Sequence, residues 1–185
     1  MLSMSEIKLA KVLTINNEPY QVVFTQHVKV ARGGAVLKTK LKNLVSGSTL
    51  EKTFSGSDSV EEADLQRKKA NFLYNQDQDF FFMDNEDFEQ FQFSADVIGN
   101  AKDYLSEGQT VDVLVFNNQP VSIALPSKVT LEVSSAPEGI KGNTSGAATK
   151  AIILETGLQL RSPMFIKSGD KIKVNTETGE YVERI

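Results

Sequence analysis

Short runs of alternating apolar and polar residues recur along the whole chain, each closed by a turn signal. KVLTI, YQVVFT, AVLKTKLKNL, TLEKTF, NFLYN, DFFFMD, TVDVLVF, PVSIALP, TLEV, AIIL and KIKV all read this way. A period of two turns one face of a strand to a core and the other to water. INNEPY, VSGST, NQDQD, NNQP and TETGE separate neighbouring runs by a few polar, Gly, Pro or Asn residues, which is hairpin punctuation. One stretch, SADVIGNAKDYLSEG, carries helical spacing instead. There Ser94 is the expected N-cap, Val97, Ile98, Ala101, Tyr104 and Leu105 the apolar face, and Gly108 the expected stop. The expectation is a mainly β protein built from barrels or sandwiches.

Charge divides the 185 residues unevenly. Residues 1–64 hold 8 basic and 7 acidic side chains, residues 65–128 hold 5 and 10, and residues 129–185 hold 7 and 7. With the strand pattern, these shifts predict three small units: 1–64, an acidic 65–128, and 129–185. Units of about 60 residues bury little surface alone, so neighbours are expected to dock. Although the net charge is -4, residues 25–54 carry six basic side chains (Lys29, Arg32, Lys38, Lys40, Lys42 and Lys52) against the single acid Glu51. A local positive field of this kind can hold phosphate while the acidic remainder discourages nonspecific contact.

The same region holds the most informative local pattern, KVARGGAVLKTK. Alternation through AVLKTKLK places Ala35, Leu37, Thr39 and Leu41 on one strand face and Lys38, Lys40 and Lys42 on the other. Just before it, Gly33 and Gly34 suit a tight turn beside Arg32, since glycine takes positive φ without a Cβ penalty. A guanidinium there would present five donors in a planar fork that matches phosphate or ribose oxygens.

Several chemistries are excluded or weak. With no cysteine, the chain has neither a disulfide framework nor a thiolate zinc site, and His27 is its only histidine. Phe24 and Val28 beside it suggest that His27 packs at a strand end. Asn75, Asp77, Asp79 and Glu86 fall at calcium-loop spacing, but Phe80 stands where the loop needs glycine, and FFFM reads as a buried strand. The acids Asp84, Glu86, Asp87 and Glu89 occupy one turn with no cleft motif and read as a solvated surface. No phosphate loop, dinucleotide fingerprint or HExxH is present, so no catalytic residue, metal or cofactor is expected. The opening MLSMSEIKLA lacks the apolar core of a signal peptide and no apolar run is long enough to span a bilayer. The expectation is a cytoplasmic monomer with no membrane partner.

HVKVARGGAVLKTKLKNLVSGSTLEKTF, Tyr74 within NFLYN, FMDNEDFEQF and the final stretch from EGIKGNTSGAATK to EYVERI resemble, in order and spacing, bacterial elongation factor P. The resemblance covers almost the whole chain. It implies an SH3-like (KOW) N-terminal barrel followed by two oligonucleotide-binding-fold (OB) barrels in an L shape like that of tRNA. It also implies a factor that binds the ribosome between the peptidyl and exit tRNA sites and relieves stalling at consecutive prolines.

By the same resemblance Arg32 occupies the tip that reaches the acceptor end of peptidyl tRNA, supported by Lys29, Ala31, Gly33 and Gly34, with Lys38, Lys40 and Lys42 meeting tRNA or ribosomal RNA. Many members carry a modified lysine in a PGKGG-like tip; here Val30, Ala31 and Arg32 replace Pro, Gly and Lys, which rules that modification out at this position. Members with an SGRNAA-like tip attach rhamnose to the arginine through a glycosyltransferase, and a paralogous like-protein has an ARGAA-like tip. Arg32 followed by two glycines fits neither in full, and both a rhamnosylated and a bare Arg32 stay open.

In the third unit Gly142, Asn143, Thr144, Gly146, Thr149 and Lys150 resemble the family's GDTxGxxTK loop, with Asn143 in place of Asp, which approaches the small subunit near the exit site. Tyr181 and Arg184 stand at its C-terminal aromatic and basic positions. A general RNA-binding barrel protein without a ribosomal role is the alternative of a different class.

Overall fold

The computed structural model describes residues 1–30, 34–137 and 149–185. Three antiparallel sheets follow one another along the chain. The first holds β1 (Leu2–Ser3), β2 (Val12–Ile15), β3 (Glu18–Val30), β4 (Gly34–Asn43), β5 (Thr49–Ser55) and β6 (Ser59–Glu62), in spatial order β1-β6-β2-β3-β4-β5. The second holds β7 (Gln66–Gln76), β8 (Asp79–Asp84), β9 (Gln90–Ser94), β10 (Thr110–Phe116) and β11 (Gln119–Ala124), ordered β11-β10-β7-β8-β9. The third holds β12 (Lys128–Ser135), β13 (Thr149–Leu154), β14 (Gln159–Pro163), β15 (Lys171–Asn175) and β16 (Tyr181–Arg184), ordered β14-β13-β12-β15-β16. In both later sheets the first strand pairs with the second and the fourth, so one topology is used twice.

The turns form where the sequence supplies residues that tolerate positive φ. Asn16 and Asn17 (φ 52° and 63°) close β2 onto β3, and Asn117 and Asn118 (φ 49° and 62°) close β10 onto β11. Two consecutive residues at positive φ match the twist of the strands they join.

Each sheet wraps a core of its own. Leu13, Leu37, Leu41 and Phe54 centre the first, Phe72, Phe82, Phe93 and Val111 the second, and Leu131, Ile152, Ile166 and Ile172 the third. Full burial of each such side chain contributes about 1.5–3 kcal/mol. Within DFFFMD, Phe80 and Phe82 point into the core while Phe81 and Met83 are only partly buried, so the run is one-sided rather than buried throughout.

The stretch expected to form one helix does not. α1 (Ala95–Ile98) lasts a single turn, because Gly99 (φ 59°, ψ -133°) leaves the helical region, and a 3-10 segment, Gly99–Tyr104, follows. Ser94 occupies the N-cap position without a side-chain capping bond, and Gly108 serves a later turn, donating its N–H to the Phe72 carbonyl at 2.9 Å. The break has a packing consequence. Val97, Ile98 and Leu105 remain in the second core while Tyr104 joins the third.

The barrels dock, as their size requires. Val12, Leu44 and Ala63 of the first meet Leu114 and Val121 of the second in a separate apolar cluster. Leu125 packs on both the second and third cores, and the Thr176 hydroxyl donates to the Pro126 carbonyl at 2.7 Å. No helix among the described residues is long and apolar enough to cross a membrane.

Candidate functional site

β3 and β4, 13 and 10 residues long, are paired from Tyr20–Asn43 out to Val30–Gly34. β5 accompanies β4 only as far as the Val36–Ser55 pair. Beyond it the hairpin is two-stranded for two more residues, about 7 Å at strand rise. Here the side chains leave the core: Leu37 is the last fully buried residue, and His27, Lys29 and Ala35 are exposed. His27 therefore does not pack at a strand end as expected, because its cross-strand partner Leu37 marks the limit of the barrel. Ala31, Arg32 and Gly33, which join Val30 to Gly34, lie outside the described residues.

On β4 the two faces separate as the alternation predicts. Leu37, Thr39 and Leu41 are buried, and Thr39 satisfies its hydroxyl by donating to the Lys52 carbonyl at 2.8 Å. Lys38 and Lys40 are exposed on the outer face. Lys40 pairs with Glu51 across the strands at 3.2 Å, an exposed contact of small net worth.

Lys42 parts from this group. It is half-buried, and its ammonium donates to the Val97 carbonyl at 2.8 Å, at the end of α1 in the second barrel. Burial pulls the Lys42 ammonium below its usual range while the Asp96 carboxylate pulls the other way. A cation at exposed helix carbonyls is a favourable arrangement. Beside it Gly47 (φ 73°) comes so close to the second barrel that a Cβ would lie 2.9 Å from the Asp96 carbonyl carbon and oxygen. Buried Asn43 shapes this turn by accepting from the Val45 and Ser46 N–H groups at 2.8 and 3.1 Å. Lys42 and the Gly47 turn thus fix the hairpin strand to the neighbouring barrel.

In the third barrel, Gly142, Asn143, Thr144 and Gly146 lie outside the described residues. Thr149 opens β13 on the surface, and Lys150 donates to the Pro137 carbonyl at 2.8 Å. Tyr181 is half-buried against the third core. Arg184 sits 3.6 Å from Asp170 and over the Phe165 ring, 5.4 Å from its centroid. The structure therefore places Tyr181 and Arg184 on β16 but gives the tyrosine a packing role. Sequence reading did not single out the exposed phenylalanines Phe24, Phe88 and Phe165. Among the described residues no group of three or more His, Asp or Glu side chains is placed to hold a metal ion.

Comparison with known proteins follows the same three-part division. The Elongation factor P (EF-P) KOW-like domain matches residues 3–60, the Elongation factor P (EF-P) OB domain residues 65–123, and the Elongation factor P, C-terminal domain residues 129–184. Elongation factor P of Desulfotalea psychrophila is 40% identical over 185 residues, covering 100% of this chain and 99% of that protein. That of Acetivibrio thermocellus is 40% identical over 185 residues and covers 100% of both. Among solved structures, eukaryotic translation initiation factor 5A from Methanococcus jannaschii has a TM-score of 0.45 and 18% identity, covering 66% of this chain and 94% of that one. A KOW-like barrel followed by OB barrels, with these full-length relatives, defines a translation elongation factor. The chain belongs to the elongation factor P family.

Proposed function

We propose that this chain binds the ribosome between the peptidyl and exit tRNA sites and speeds peptide-bond formation at consecutive prolines. The observation that carries the reading is the β3–β4 hairpin, which outruns its barrel and has Lys29, Lys38 and Lys40 exposed along it. Arg32, between the paired ends Val30 and Gly34, is the group assigned to the acceptor end of peptidyl tRNA. Its donor fork suits phosphate and ribose oxygens, and a guanidinium carries the positive charge that such oxygens attract. It acts bare or carrying a rhamnose added by a glycosyltransferase.

No covalent chemistry is assigned to the protein. Ribosomal RNA forms the bond, and the factor contributes by holding the reacting tRNA end in place, an entropic saving. The units 1–64, 65–128 and 129–185 divide the work in this reading. The first reaches the peptidyl tRNA; the third approaches the small subunit through Gly142, Asn143, Thr144, Gly146, Thr149 and Lys150, with Arg184 meeting RNA nearby. The protein works in the cytoplasm as a monomer.

The test is reconstituted translation of a template encoding consecutive prolines, with and without the chain. Full-length product is expected to rise several-fold with the chain present and to stay unchanged on a proline-free template. An equal yield with and without the chain on the proline template contradicts the reading.

A further inference from the structure

Phe24 is an exposed aromatic that strand alternation alone would hide. Tyr20 and Val22 of β3 face the first core, so the next residue of that parity, Phe24, belongs inside with them. A bulge between Val22 and Phe24 reverses the parity: Val22 lies opposite Leu41, whereas Phe24 lies opposite Lys40, two side chains on the outer face. Bulges re-aim side chains in this way. The result leaves Phe24 45% exposed, forgoing burial that the same strand could have provided.

The ring stands in a groove of about 460 Å³ across β3, β4 and β5, lined by Phe24, Gln26, Lys38, Lys40, Lys52 and Thr53 with Thr39 and Glu51. Cross-strand pairing sets Phe24 beside Lys40 and Gln26 beside Lys38, and continues to Glu51 and Thr53 on β5. Two different recognition chemistries therefore share one surface. Ammonium groups attract phosphate without regard to sequence, and an aromatic face takes any base because every base has a π face. The Gln26 amide adds a donor and an acceptor at the same level. Glu51 opposes an anion and offsets part of the Lys40 charge, through an exposed pair that water screens, while Lys38 has no ion-pair partner among the described residues and is the stronger phosphate contact. Protein-binding surfaces are depleted in lysine at their centres, whereas single-strand sites combine a basic groove with stacking rings.

We propose that this groove is a single-stranded RNA subsite, in which the Phe24 ring stacks on one unpaired base while Lys38 and Lys40 hold the flanking phosphates. The proposal rests on the ribosomal reading for its setting, since that reading brings RNA to this face, but it assigns a residue and a ligand class that the reading does not require.

The test uses the full chain and a fluorescein-labelled RNA of about 12 nucleotides, within the usual site size of such grooves, offered single-stranded and as a duplex of the same sequence. Phe24→Ala should weaken single-strand binding about 5- to 150-fold, the effect of losing one stacked base. Duplex binding should change less than about twofold, because phosphate contacts alone serve the duplex. Phe24→Trp should restore the single-strand affinity. Lys38→Gln should weaken both RNAs and flatten the salt dependence, which Phe24→Ala leaves unchanged. Equal losses on both RNAs, no loss on either, or no single-strand binding by the unaltered chain at low salt would each overturn the subsite. Proline-template translation by the unaltered chain reads the ribosomal role independently, so the two ideas can fail separately.

Discussion

Arg32→Ala is expected to abolish most of the relief of polyproline stalling while ribosome co-sedimentation stays within about threefold of the unaltered chain. The two outcomes separate because they depend on different parts of the surface. In the proposed reading affinity is spread over Lys29, Lys38, Lys40 and the contacts of the other barrels, so removing one cation costs one contact among many. The proposed acceleration depends on one group placed at the tRNA end. A charge-assisted hydrogen bond contributes about 1.5–3 kcal/mol, and its loss at the reacting geometry slows bond formation by about 10- to 150-fold. Arg32→Lys should fall between the two proteins, keeping the charge but losing the planar fork. Full relief by Arg32→Ala, or loss of relief accompanied by an equal loss of ribosome binding, contradicts the assignment.

Gly47→Val is the second large effect, and it acts far from the assigned chemistry. Gly47 holds φ 73°, and its Cβ would meet the Asp96 carbonyl carbon and oxygen at 2.9 Å. A β-branched residue in the left-handed region costs about 1–3 kcal/mol by itself. The collision comes on top, because main chain cannot swing aside as a flexible side chain can. The neighbouring contact of Lys42 with the Val97 carbonyl spans the same junction. We expect the variant to melt at lower temperature and to lose the fixed relation between the first two barrels. A distance probe spanning the first and second barrels should broaden, and stall relief should drop several-fold with every residue of the hairpin intact. A variant that melts and relieves stalling like the unaltered chain would show that this junction does not aim the hairpin.

Much of the fold was legible because its signals are local. Asn16–Asn17 and Asn117–Asn118 turn where their φ values allow, and Leu37, Thr39 and Leu41 are buried opposite Lys38 and Lys40 as alternation requires. The failures share a cause: each was decided by a partner distant in sequence or by an irregularity with no residue signature. Lys42 looked like its two neighbours because Val97, its partner, lies 55 residues away. Phe24 was not singled out, because the bulge that turns it outward does not show in a hydrophobic pattern. The helix was overextended because Val97, Ile98, Ala101, Tyr104 and Leu105 keep helical spacing across a break at Gly99, whose φ of 59° only the folded chain reveals. His27 was misjudged because local neighbours do not tell where a barrel ends and its hairpin continues. Motif resemblance supplied the site assignments at Arg32 and at Gly142 to Gly146; those positions lie outside the described residues.

The central claim is that the β3–β4 hairpin delivers Arg32 to the end of the peptidyl tRNA. The direct measurement is a cryo-electron-microscopy map of this chain bound to a ribosome stalled at consecutive prolines. The account predicts the Arg32 guanidinium within hydrogen-bond distance, about 3 Å, of phosphate or ribose oxygens at the tRNA acceptor end. A chain bound elsewhere, or one whose hairpin points away from the tRNA with Arg32 against its own barrel, would contradict it.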